Sequence, residues 1–176
     1  MTPSSSPRLQ PALVVILSGV VAAMHVGKIP PAIPVLREAL GMSLVEAGFL
    51  LSMVQMAGML IGVLAGLAAD SIGVRRSIII GQSVLALTGF AAMWADRPVE
   101  LLVLRGLEGL GFLLSVLPAP GLIRQLVPPA RLATYLGLWG TYMGTGAALT
   151  LLAGPALMQA VGWNGLWGML AACSAI

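Results

Sequence analysis

Gly66-Leu-Ala-Ala-Asp70-Ser-Ile-Gly73-Val-Arg75-Arg76 breaks an otherwise apolar sequence with one acid and two adjacent arginines. Apolar runs flank it, from about residue 44 to 69 and from about 77 to 95. Roughly 20 apolar residues carry a helix across a bilayer, so the stretch reads as a tight polar turn between two membrane helices. Asp70 ends one helix, Gly73 supplies a permissive backbone, and Arg75 and Arg76 begin the next. An acid beside two guanidiniums can form charge-assisted bonds that lock two helices together or release them. A simple basic loop would explain the arginines but not the G-x-x-x-D-x-x-G-x-R-R spacing.

The composition around this turn fits hydrocarbon as the solvent. Hydrophobic residues make up 59% of the 176-residue chain and charged residues 9%, against roughly 25% charged in an average soluble domain. Mean hydropathy is +1.00. A water-soluble fold of this size could not hide so much apolar surface; lipid removes the conflict. The 22 glycines and 12 prolines agree, because both residues are more frequent in membrane helices. A net charge of +3 raises nucleic acid as a partner, but the Lys and Arg residues form no basic stripe and no nucleic-acid motif. The single cysteine, Cys173, allows no disulfide within the chain and no metal cluster.

The fold class is all-α, a polytopic transmembrane helix bundle. Residues 1–10 form a cytoplasmic N-terminal tail and 11–176 the bundle, with spans at about 11–34, 44–69, 77–95, 99–123, 132–159 and 163–176. Ser43 and Glu46 begin the second span as a capping box. The apolar start mimics a signal peptide, but the further spans make it an uncleaved first helix. The sixth segment is still apolar at Ile176 and too short to span comfortably, which predicts an incomplete helix and a fragment of a longer protein.

With the N-terminus in the cytoplasm, Arg8, Arg75, Arg76, Arg124 and Arg131 fall inside. Lys28, Arg37 and Arg97 fall outside with four acids, so the bias has the sign of the positive-inside rule. Gly58, Gly62 and Gly66 in the second span, and Gly140 and Gly144 in the fifth, recur every four residues. Small residues at that spacing let helix backbones touch, and Gly109, Gly111, Gly154 and Pro155 are candidate helix-packing positions with them.

The turn at 66–76 resembles the signature loop between the second and third helices of major facilitator superfamily transporters. Gly66, Asp70, Gly73, Arg75 and Arg76 match it; Ser71 and Val74 stand where the family often has basic residues. About 30 residues on, Arg105-Gly-Leu-Glu108-Gly109-Leu-Gly111 resembles the family's R-x-x-x-G-x-G pattern of the fourth helix. The resemblance implies a six-helix N-terminal half that needs a C-terminal half of the same transporter, a gating role for the 66–76 turn, and proton coupling at Arg105. Gly154-Pro155 is similar to part of the family's antiporter pattern, but Thr150, Met158 and Gln159 depart from it, so direction does not follow. The stretches from His25 to Pro34 and from Leu136 to Gly144 resemble the cyanate permease-like branch.

Ionisable residues inside membrane helices are costly and mark functional sites. His25 and Lys28 share one face of span one, and Arg105 and Glu108 share one face of span four and can pair. Both spans are also interrupted by proline, at Pro30, Pro31 and Pro34 and at Pro118 and Pro120. In a half built from inverted three-helix repeats these spans correspond, and such interruptions point to the binding site. His25, Lys28 and Arg105 are therefore the candidate substrate-binding residues, and the resemblance makes Arg105, paired with Glu108, the proton-coupling position. Unless Glu108 cancels it, their cavity is electropositive and suits a small anion.

The expected function is secondary active transport of a small, anionic, proton-coupled solute across the inner membrane by alternating access, without a cofactor. Its partners are membrane lipid, the solute and the C-terminal half. An intramembrane enzyme would need a nucleophile with a base in reach, or a metal cluster, and the sequence offers neither. A non-transporting assembly or receptor subunit is the other reading, since glycine-faced helices also suit pure association.

Overall fold

A computed structural model describes residues 9–176, excepting the side chains of 9, 10, 61, 64, 65, 68, 69 and 70. Most of the 1–10 tail, including Arg8, lies outside the described residues, as does the Asp70 side chain. Among the described residues the chain forms eight helices and no strand. They are α1 (Leu9–Gly27), α2 (Ile29–Leu40), α3 (Leu44–Ile72), α4 (Val74–Ala92), α5 (Pro98–Val116), α6 (Ala119–Leu126), α7 (Pro129–Gly140) and α8 (Tyr142–Ser174).

Proline decides where these rods bend. Pro30 and Pro31 lack the N–H groups that would bond the carbonyls one turn earlier. The helix breaks at Lys28, and α1 and α2 meet at 40°. The first helical stretch thus runs on past Pro34 to Leu40, where the sequence reading ended it near residue 34: proline at a helix's first turn is tolerated and bends more than it stops. Likewise α5 and α6 together make one apolar stretch, Pro98–Leu126, broken at Pro118. By length and composition this stretch, Pro129–Ser174, and the bent α1–α2 pair can each cross a membrane.

Two glycines turn the chain where no other residue fits. Gly73 joins α3 to α4 at φ 96°, and Gly162 breaks α8 at φ 74° and ψ 169°. The sequence placed a gap between the fifth and sixth segments; the structure uses one residue.

Helices α4 and α5 pack closely, as do α1 and α8, and α3 lies against α5. The crossings rest on glycine, but mostly not on the glycines that the four-residue spacing singled out. A methyl group at Gly81 would stand 2.6 Å from the Gly111 carbonyl oxygen and 2.7 Å from the Ser115 nitrogen. One at Gly27 would stand 2.7 Å from the Ala147 Cα, and one at Gly146 would meet the Val20 carbonyl. Gly109 is similarly close to Ala57 on α3. By contrast, among the described residues nothing comes within 4 Å of a methyl group at Gly62, Gly66, Gly140 or Gly144. Gly58 meets only Leu113, at 3.8 Å, and Gly154 meets Pro31 at 3.6 Å and Leu166 at 3.9 Å. A four-residue spacing defines a helix face; it does not say whether a neighbour within these 176 residues covers that face.

Two apolar clusters fill the bundle. One gathers Val54, Leu85, Phe112, Ile123, Tyr135 and Trp139, the other Ile29, Leu36, Leu50, Leu101, Trp163 and Trp167. Along α1–α2 the first cluster reaches Ala22 and the second begins at Ile29; along α5 the second ends at Leu101 and the first resumes at Phe112. Whatever lies between is sealed at both ends.

Overpacking a tight core costs roughly 1–3 kcal/mol. Gly81→Ala should therefore destabilise the detergent-solubilised full-length protein by about that amount in thermal unfolding, because backbone atoms cannot yield. Gly62→Ala should stay within about 0.5 kcal/mol of the parent.

Candidate functional site

The gap between the two apolar clusters holds four ionisable side chains. His25, Lys28, Arg105 and Glu108 are all at most 2% exposed. A lone buried charge would be prohibitive, so the cluster exists only because its members satisfy one another.

Glu108 is the centre. Its Oε1 accepts from Lys28 Nζ at 2.5 Å and its Oε2 from Arg105 Nη1 at 2.7 Å, one cation for each oxygen. Arg105 and Glu108 pair across one turn of α5, as their spacing predicts. Arg105 also donates through Nη1 to the His25 carbonyl at 2.7 Å and through Nε to the Leu50 carbonyl at 3.3 Å. One guanidinium fork thus ties α5 to the end of α1 and to α3, using the geometry that distinguishes arginine from lysine.

His25 extends the cluster to α8. Its Nε2 lies 3.0 Å from Ser174 Oγ and 3.3 Å from the Leu170 carbonyl. A carbonyl only accepts, so Nε2 carries the hydrogen and Nδ1 presents its lone pair inward. Nδ1 then receives a bond from Lys28 Nζ at 3.3 Å. It also stands 3.2 Å from Glu108 Oε1. Lys28 lies over the Trp167 ring at 4.5 Å from its centroid, a cation–π contact made in the absence of water. Every fully buried side-chain nitrogen and oxygen among the described residues has a partner.

The structure therefore brings His25, Lys28, Arg105 and Glu108 into one network. Glu108 meets both cations, which answers the condition attached to the electropositive reading. The four groups face one another, not an open cavity. Ser174, Trp167 and the Leu50 and Leu170 carbonyls complete the network, and sequence reasoning missed all four. A single serine or tryptophan in an apolar run carries no spacing signal, and a backbone carbonyl carries none at all.

The 66–76 turn is elsewhere. Arg75 and Arg76 are exposed at the start of α4 and, with Ile72, Gly73, Val74 and Gln125, line a groove of about 490 Å³. Gln125 belongs to α6, so the turn abuts the far end of the broken α5–α6 stretch.

Leaving a buried charge without its partner costs about 3–5 kcal/mol. Glu108→Ala strands two, and should lower the unfolding free energy of the detergent-solubilised full-length protein by at least about 3 kcal/mol. An unchanged denaturation midpoint would mean that water reaches these cations.

Comparison with known proteins agrees with this architecture. Residues 14–176 match the Major Facilitator Superfamily description. The chain is 27% identical over 169 residues to the tetracenomycin C resistance and export protein of Streptomyces glaucescens, covering 94% of this chain and 31% of that protein. It is 31% identical over 163 residues to a puromycin resistance protein of Streptomyces alboniger, covering 90% of this chain and 32% of that protein. The chain thus spans about a third of the length of these curated relatives. Its fold superposes on the inward-open xylose transporter XylE of E. coli with a TM-score of 0.83 at 16% identity, covering 96% of this chain and 46% of that one. The match over nearly every residue, on a bundle of broken apolar helices, means that the chain belongs to the Major Facilitator Superfamily.

Proposed function

We propose that the full-length protein is a proton-coupled secondary transporter that exports a small organic solute by alternating access. The reading rests on one observation above all: a fully desolvated Lys28–Glu108–Arg105 network, with His25 against it, sits where the broken span α1–α2 meets α5. Charges that serve only to orient a membrane protein belong in its loops. Charges buried in mid-bundle and tied to a helix break are placed to change partners when the break moves.

Arg105 and Glu108 form the coupling pair, and the 66–76 turn gates on the cytoplasmic side of an N-terminus-in arrangement in the inner membrane. The C-terminal half supplies the opposite wall of the solute path. Export is favoured by the printed roles of the two resistance proteins that the chain resembles. The anionic solute expected from the sequence has less support, because Glu108 already neutralises one of the two cations that would attract it.

Reconstitution of the full-length protein in proteoliposomes with an imposed pH gradient tests these points. Puromycin flux should follow the gradient and collapse when a protonophore is added, while benzoate and cyanate flux should stay at the level of empty vesicles. Gradient-driven benzoate or cyanate movement would restore the anionic reading, and flux indifferent to the protonophore would remove coupling.

A further inference from the structure

Lys28 has three hydrogens on Nζ and only two polar acceptors. One hydrogen goes to Glu108 Oε1 at 2.5 Å and one to the His25 Nδ1 lone pair at 3.3 Å. The third has only the Trp167 ring, 4.5 Å away. A neutral amine keeps two N–H groups, enough for both hydrogen bonds. Losing the third proton therefore breaks neither hydrogen bond, and the lone pair it uncovers faces only the Trp167 ring.

No other group in the network can give up or take a proton so cheaply. Arg105 does not deprotonate in proteins, and it would strand the His25 and Leu50 carbonyls if it did. Protonating Glu108 would weaken two charge-assisted bonds at once. Protonating His25 at Nδ1 would let it donate to Glu108 Oε1 at 3.2 Å, but only by turning its bond with Lys28 into a contact between two cations 3.3 Å apart. The remaining neighbours carry no charge: Trp167, Ser174 and the Leu170 carbonyl on α8, the Leu50 carbonyl on α3, and Gly89 on α4, close to the His25 ring. Charge balance points the same way. Arg105 and Glu108 cancel, so the proton on Lys28 is the one charge left uncompensated in a dry site.

We infer that Lys28 is the residue that loads and unloads the coupling proton, with His25 held neutral as its hydrogen-bond acceptor and Glu108 held ionised as its anchor. The step is Lys28–NH₃⁺ giving one proton to a water molecule admitted when the α1–α2 break moves: one N–H bond breaks, hydronium forms, and Lys28–NH₂ remains. Lys28 stands at the break between α1 and α2. Its charge state therefore sets how strongly that break is fastened to α5: a charge-assisted bond to Glu108 when loaded, an ordinary hydrogen bond when unloaded. The inference keeps the coupling reading above but moves the proton itself from the Arg105–Glu108 pair, which stays ionised, to Lys28; it relies on that reading for its purpose, but not for its chemistry.

Lys28 is the only lysine and His25 the only histidine in these 176 residues, so this part of the protein contributes one signal of each kind to a nitrogen-labelled sample. The full-length protein, carrying ¹⁵N at lysine Nζ and the histidine ring, is titrated from about pH 5 to about pH 10 by NMR in lipid. Lys28 is assigned by its loss in Lys28→Arg, or, if that variant does not fold, by its through-space correlation to the His25 ring. The expected result is a Lys28 signal that passes from ammonium to amine while His25 keeps its Nε2–H form. Lys28→Met should also release one proton fewer than the parent in a potentiometric titration of the solubilised protein. A Lys28 signal that stays ammonium throughout while His25 or Glu108 titrates overturns the assignment. Neither readout needs a solute, so a titrating Lys28 in a protein with no flux would sink the transport reading alone. A silent Lys28 in a protein with gradient-driven flux would sink the carrier alone.

Discussion

One carboxylate constrains the whole bundle. Glu108 is the only acid within reach of Lys28 and Arg105 among the described residues, and it gives one oxygen to each. In a medium where an unpaired ion is prohibitive, the helices that carry these cations cannot move independently of α5. The break between α1 and α2, the Arg105 bonds to the His25 and Leu50 carbonyls, and the His25 contacts to α8 are arranged around that requirement. Four helices converge on a volume that apolar side chains seal from both ends.

Such an arrangement needs close backbone approach, and lipid does not drive it. Association within hydrocarbon relies on packing and hydrogen bonds, because lipid tails are as apolar as leucine. The contacts at Gly81 against Gly111, and at Gly27 and Gly146 between α1 and α8, bring the backbones near enough for short polar side chains to bridge them. Ser77 bonds the Leu114 carbonyl at 3.0 Å across the first of these crossings. Gly27 lies one residue before Lys28, so the close crossing and the charge network share a position along the helix. A rigid crossing beside a helix break is a suitable hinge for a protein that alternates between two arrangements.

The chain covers less than half of the xylose transporter that its fold resembles, and part of its surface has a different meaning from the rest. Large apolar side chains on α3, such as Met59, Leu60 and Val63, are well exposed, and Gly62 and Gly66 on α3 and Gly140 and Gly144 on α7–α8 meet no described neighbour. In a bundle of this family, lipid and a second half-bundle are the two surroundings that can cover such faces. The buried network depends on neither, because all of its partners come from these 176 residues.

Much of this was legible in the residues. The apolar excess required a membrane, the run lengths required helices, and the G-x-x-x-D-x-x-G-x-R-R turn with the Arg105–Gly111 pattern resembled one family. His25, Lys28, Arg105 and Glu108 stood out because an ionisable residue in an apolar run is conspicuous whatever the fold. Local chemistry determines those features, so a linear reading reaches them. The tertiary structure alone decided that Glu108 would serve two cations on different helices, and that Ser174 and Trp167 would close the network. It also decided that Gly81, Gly27 and Gly146, together with the Gly109 and Gly111 that the sequence had marked, would carry the crossings in place of those at four-residue spacing. These are matters of which helix face meets which, and helix periodicity fixes a face without naming its neighbour.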